Sequence, residues 1–160
     1  MGGAIAQLLA LEHSDLVCAL GLIATGARLR VSPAILESIR SDFDGAVTLI
    51  TRYAWGPDAD ESLMELSREA LEDTGPDVLL GDFLACDSFD VMERLEEIEI
   101  PVLAVCGTAD ALTPVKYARF LAEHIPDARL VTVGRAGHMV MLERPHEVSQ
   151  AVTEFVMAIC

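Results

Sequence analysis

Residues 16–24, LVCALGLIA, and residues 100–107, IPVLAVCG, carry no polar side chain at any position. A strand with one wet face alternates apolar and polar residues. A strand apolar throughout needs cover on both faces, which a parallel sheet between two layers of helices provides. ARLVTVG (128–134) is expected to be the next strand. Around these runs the spacing turns helical. Thr113-Pro114 reads as a helix start, with Thr as cap and Pro in the first turn, and Ala118, Leu121, Ala122 and Ile125 line one face of that helix. Val148, Ala151, Val152, Phe155, Val156 and Ile159 repeat at amphipathic spacing in a last helix from about His146 to Ala158. Residues 2–12, with Ala4, Ile5, Leu8, Leu9 and Leu11, predict a helix apolar nearly all round and therefore buried. Its glycine pair, Gly2 and Gly3, stands where two backbones would come close. The order helix, strand, helical insert, strand, helix, strand, helix defines an α/β class with a parallel sheet.

Residues 30–97 have a different texture. They hold most of the acidic residues and the single Trp, and predict four or five short helices with no strand. Pro33, Pro57 and Pro76 fall at expected helix starts, and Gly56-Pro57 and Gly75-Pro76 at the breaks between helices. Residues 1–29 and 98–160 then form one core into which 30–97 is inserted. Three strands make a thin sheet, and the apolar run 16–24 would lie at its edge, where it invites pairing with another chain. Self-association through that edge is one expected partner interaction.

With 11 basic against 26 acidic residues the net charge is −15. That balance argues against nucleic acid and anionic membranes as partners. No apolar run is long enough to span a bilayer, and no charged leader precedes an apolar stretch, so no signal peptide is expected. The cysteines at 18, 86, 106 and 160 form no C-x-x-C pair, which makes zinc an unexpected ligand. Cys18 and Cys106 lie in apolar runs and are expected to be buried. A reducing cytoplasm suits them.

Ligands of open parallel sheets bind beyond the carboxyl ends of the strands. Two such ends carry chemistry. GTADALTP places Asp110 in the loop after the strand at 100–106, and GRAGHMVMLERP places His138 in the loop after 128–133. Singly, an Asp before Thr-Pro is a turn residue and a His after Gly a surface one. Together at neighbouring strand ends, Asp110 can accept the Nδ1 proton of His138 and leave Nε2 as a general base. His13, His124 and His146 fall at helix ends, where no carboxylate loop points at them. No serine, at 14, 32, 38, 41, 62, 67, 88 or 149, occupies a sharp glycine-flanked turn, so the base has no nucleophile within these residues.

These residues resemble the α/β-hydrolase family. MGGAIAQLLA is similar to the segment just after the nucleophile in the family's G-x-S-x-G elbow, with Met1 as the residue after the Ser and Gly2 and Gly3 completing the turn. The resemblance implies that Asp110 in G-T-A-D is the acid and His138 in G-H-M the base. It implies that 30–97 is the cap over the pocket and that the Met1 backbone N–H is an oxyanion donor. It places the nucleophile upstream of Met1, with Ser expected, although relatives use Asp or Cys. IATGARL, where some relatives carry the acid, has no carboxylate to compete with Asp110. The implied reaction is hydrolysis of a small ester, lactone or related carbonyl compound in the esterase and lactonase branch, without metal or organic cofactor, and the 160 residues alone would be inactive. Leu112, Met139, Val140, Phe83, Leu84 and Phe89 are expected either to line the substrate pocket or to pack in the core. A protein that keeps this fold for non-catalytic binding or dimerisation is the alternative.

Overall fold

The computed structural model describes residues 1–159. Its sheet has three parallel strands in the order β1-β2-β3: β1 (Leu20–Ile23), β2 (Val102–Gly107) and β3 (Ala128–Val133). Leu20 stands opposite Val102, and Val102 opposite Ala128. Every residue of β2 is buried, as its unbroken apolar run requires. Val102, Ala104 and Cys106 meet α1 (Gly2–Glu12) and α6 (Val115–His124) on one face. Leu103 and Val105 meet Val148, Ala151 and Phe155 of α8 (Pro145–Ile159) on the other. The two faces of one strand thus build the two halves of the core. Burial raises the Cys106 thiol pKa, and the nearby Asp110 charge raises it further.

The edge strand is shorter than its apolar run. Ser14–Leu16 form a 3₁₀ turn, Leu16 is 71% exposed and Cys18 lies on the surface. The expectation of a buried Cys18 fails because α1 and α8 cover only the part of the run that pairs with β2. Helix α1 also departs from the expectation of full burial. Ala4, Gln7 and Ala10 face the sheet, whereas Ile5, Leu8 and Leu9 are 58%, 41% and 42% exposed. Of the two glycines, only Gly3 marks a close approach: a Cβ there would come within 2.6 Å of the Thr25 side chain, whereas Gly2 faces open space. Buried Gln7 donates from Nε2 to the Gly3 and Gly26 carbonyls, which ties α1 to the loop after β1.

Between β1 and β2 the chain forms α2 (Pro33–Ser41), α3 (Phe43–Ala54), α4 (Glu61–Thr74) and α5 (Pro76–Ser88). Ile39, Ala46, Ile50 and Leu79 bury against one another in a small core separate from the sheet. Pro33 and Pro76 occupy first turns as expected. Pro57 does not: it sits in a turn, and α4 starts at Glu61 behind an Asp60 cap whose carboxylate accepts from Ser62 N–H. Gly75 links α4 to α5 with φ 78°, a left-handed conformation that favours glycine. The insert joins the core through two adjacent segments. Val91 N–H donates to the Ala27 carbonyl, Arg28 bridges Asp90 antiparallel, and the Asp87 carboxylate accepts from Val31 N–H. Among the described residues no helix is long and apolar enough to cross a membrane.

Candidate active site

Asp110 and His138 come from the carboxyl ends of β2 and β3, and the loops that carry them are bonded to each other. Ala109 N–H donates to the Ala136 carbonyl, and Arg135 N–H to Thr108 Oγ1. His138 Nδ1 lies 3.0 Å from Asp110 Oδ2. The Asp110 side chain is fully buried and the His138 side chain 28% exposed. A buried carboxylate needs partners for its lone pairs. Asp110 has them: Oδ1 accepts from Leu112 and Thr113 N–H, and Oδ2 from the Thr113 hydroxyl and His138. Because the carboxylate only accepts, Nδ1 carries the proton and Nε2 is the basic nitrogen. The structure thus brings the two side chains together with Nδ1 on the carboxylate.

Thr113 is the residue that sequence reasoning misplaced. It does not cap α6, whose cap position is Pro114. Its hydroxyl lies 2.8 Å from Asp110 Oδ2 and 3.1 Å from His138 Nδ1, so it donates to the carboxylate while offering a second acceptor to the imidazole N–H. A Thr three residues after an Asp in a strand-end loop is a usable signal, because the Asp side chain folds back on the N–H groups two and three positions on. Thr113→Val keeps the shape and removes the hydroxyl. It is expected to cost about 1.5–3 kcal/mol, the usual worth of a hydrogen bond to a charged acceptor, read by urea unfolding.

A cavity of about 640 Å³ opens beside His138. Met1, Ala24 and Thr25 form one side of it, and Ala111, Leu112 and Thr113 another. The insert closes over it with Ile35, Leu49, Leu79 and Phe83, and Arg30 and Asp82 add charge to its lining. Of the pocket residues expected from sequence, Leu112 and Phe83 line it. Phe89 and Val140 do not, because each is buried, the first in the sheet-side core with Leu20, Leu22 and Ala27 and the second against α8. Leu84 sits on the outer surface of α5, one position round from Phe83. Met139, next to His138 in sequence, is half-buried and does not line the cavity. Outside glycine, a left-handed backbone occurs among the described residues at Ala24 (φ 49°) and Arg135 (φ 57°). Ala24 lies in the cavity wall and Arg135 in the His138 loop, so the strain of about 1–2 kcal/mol each falls at the site.

A parallel sheet between helices, with an Asp-held His at adjacent strand ends beneath a helical insert, defines an α/β enzyme-type scaffold. Residues 1–151 match the profile of the alpha/beta hydrolase family, and the chain belongs to that family. It is 29% identical over 170 residues to a pimeloyl-[acyl-carrier protein] methyl ester esterase of Neisseria meningitidis serogroup C, covering 98% of this chain and 66% of that protein. Among solved structures it is similar to a thermophilic esterase, with 39% identity and a TM-score of 0.90, over 98% of this chain and 63% of that one. It is also similar to Est816, an N-acyl homoserine lactone degrading enzyme, with 25% identity and a TM-score of 0.86, over 96% and 64%. The chain thus spans just under two thirds of the length of these relatives.

Proposed function

We propose that these residues supply the base, the acid and much of the pocket of a serine ester hydrolase whose nucleophile lies in sequence preceding Met1. The observation that carries this reading is His138, held at Nδ1 by a buried, fully bonded Asp110 and lining the same cavity as Met1. A residue joined to the Met1 amide would stand at that cavity. Its Oγ would attack a substrate carbonyl while Nε2 of His138 takes the proton. Asp110 stabilises the imidazolium. The proton passes to the departing alkoxide, and water then cleaves the acyl-enzyme by the same route. The Met1 N–H, once part of a peptide bond, would donate to the oxyanion. Residues 30–97 act as the cap over an apolar pocket of a size that suits a small ester or lactone. Relatives named for a methyl ester carried on an acyl-carrier protein and for an N-acyl homoserine lactone support ester or lactone hydrolysis as the reaction. A reducing cytoplasm suits the free thiols of Cys18, Cys86 and Cys106. The open edge at β1 supports self-association of the chain in isolation.

A fluorophosphonate probe tests the reading, because it labels only an activated serine. The protein extended by its upstream sequence is expected to form a covalent adduct, and the 160-residue chain none. An extended protein that folds yet takes no label would overturn the proposal and favour non-catalytic binding.

A further inference from the structure

The proposed reaction leaves the half-buried carboxylate of Glu143 unused. Glu143 ends the short helix α7 (Val140–Glu143), five residues past His138. Its two oxygens reach in different directions. Oε1 accepts from Gly137 N–H at 2.8 Å, beside the base. Oε2 accepts from Gly56 N–H at 2.9 Å, just past the end of α3 in the insert. Three further contacts close the same seam. Met139 N–H donates to the Ala54 carbonyl at 3.0 Å. A Cβ on Gly137 would come within 2.6 Å of the Trp55 backbone, so the two segments touch main chain to main chain. Asp58 takes the Arg135 guanidinium at 2.5 Å and the Arg144 one at 3.4 Å.

The geometry points to Glu143 as a positioning residue that clamps the His138 loop to the C-terminal end of α3. The insert and the base then move as one body along this seam. Lifting the insert at α3 pulls Gly56 away from Glu143 and releases Gly137, the residue before His138. Access to the cavity must therefore come through the other walls of the insert, and substrate can enter without disturbing the imidazole. The inference rests on His138 being the base, but the clamp itself does not.

Glu143→Gln is the sharp test. Glutamine keeps the shape and packing but has one acceptor oxygen, so its NH₂ must face one of the two N–H donors. In the 160-residue chain, hydrogen exchange followed by NMR should show at least one of the Gly56 and Gly137 amides exchanging about tenfold faster or more, with Leu103 and Val105 in β2 unchanged. Both glycine amides exchanging as in the wild type would overturn the clamp. Should the variant lose protection throughout β2, the wild type decides. Scalar couplings across the hydrogen bonds, from the Gly56 and Gly137 amide nitrogens to the Glu143 carboxylate carbon, are expected, and their absence overturns the proposal. In the extended protein Glu143→Gln should lower kcat with KM unchanged, whereas a change in KM alone contradicts a role in placing the base. An extended protein with no activity at all defeats the hydrolase reading, and the amide measurements still judge Glu143.

Discussion

His138→Ala is expected to lower kcat by about a millionfold in the protein that carries the nucleophile, measured with a p-nitrophenyl ester. Without Nε2 nothing takes the proton from the attacking hydroxyl or returns it to the leaving alkoxide. Asp110→Asn should cost roughly ten-thousandfold for a different reason. An amide can turn its NH₂ towards Nδ1, which favours the tautomer with the proton on Nε2 and removes the base while leaving the ring in place. Its carbonyl oxygen can still accept from the Thr113 and Leu112 N–H groups, so the fold should survive. The double variant should be no slower than His138→Ala alone, because the two side chains act as a unit. Independent, multiplying losses would mean that Asp110 serves the reaction by some route other than His138.

Gly107→Ala is expected to be the most damaging single methyl in the chain. Gly107 closes β2, and a Cβ there would run into the carbonyl oxygens of Ala136 and Gly137. Those are backbone atoms with no rotamer to yield. The loop must move, and with it the Ala109–Ala136 hydrogen bond and His138 two residues on. Overpacking of this kind costs about 1–3 kcal/mol. In a chain of this size that lowers Tm by roughly 2–12 °C. A shift of about 1 Å at the base would cut kcat by around a hundredfold. Gly134→Ala is the control: it sits in the same loop, faces open space, and should change neither quantity. Equal effects at both positions would show that loop flexibility, not the close approach, is what matters.

The strands and long helices were legible because their signals are local. The all-apolar β2 and the spacing of α1, α6 and α8 depend only on near neighbours in sequence. The Asp110–His138 pair was legible for a related reason, since parallel strands bring their carboxyl ends together whatever lies between. The failures share one cause. Leu16 and Cys18 are as apolar as Leu20 and Leu22, and only the reach of α1 and α8 decides which are covered. Phe83 and Leu84 are adjacent, yet one lines the cavity and the other faces solvent, a difference set by the roll of α5. Thr113 looked like a cap because Pro114 comes next, but its hydroxyl is taken by Asp110. Glu143 carried no sequence signal towards Gly56, from which it is separated by 87 positions.

The insert leaves and rejoins the core through segments that lie side by side, Ala27 against Val91 and Arg28 against Asp90. That doorway is a modular junction. Its two ends are already held together by the core, so the length of chain hanging between them costs the sheet little, since loop closure grows only slowly with chain length. Different helical inserts can be grafted there without rethreading β1 or β2. Such a graft would keep Asp110 in register and reshape the pocket roof, provided that one of its backbone N–H groups is offered to Glu143.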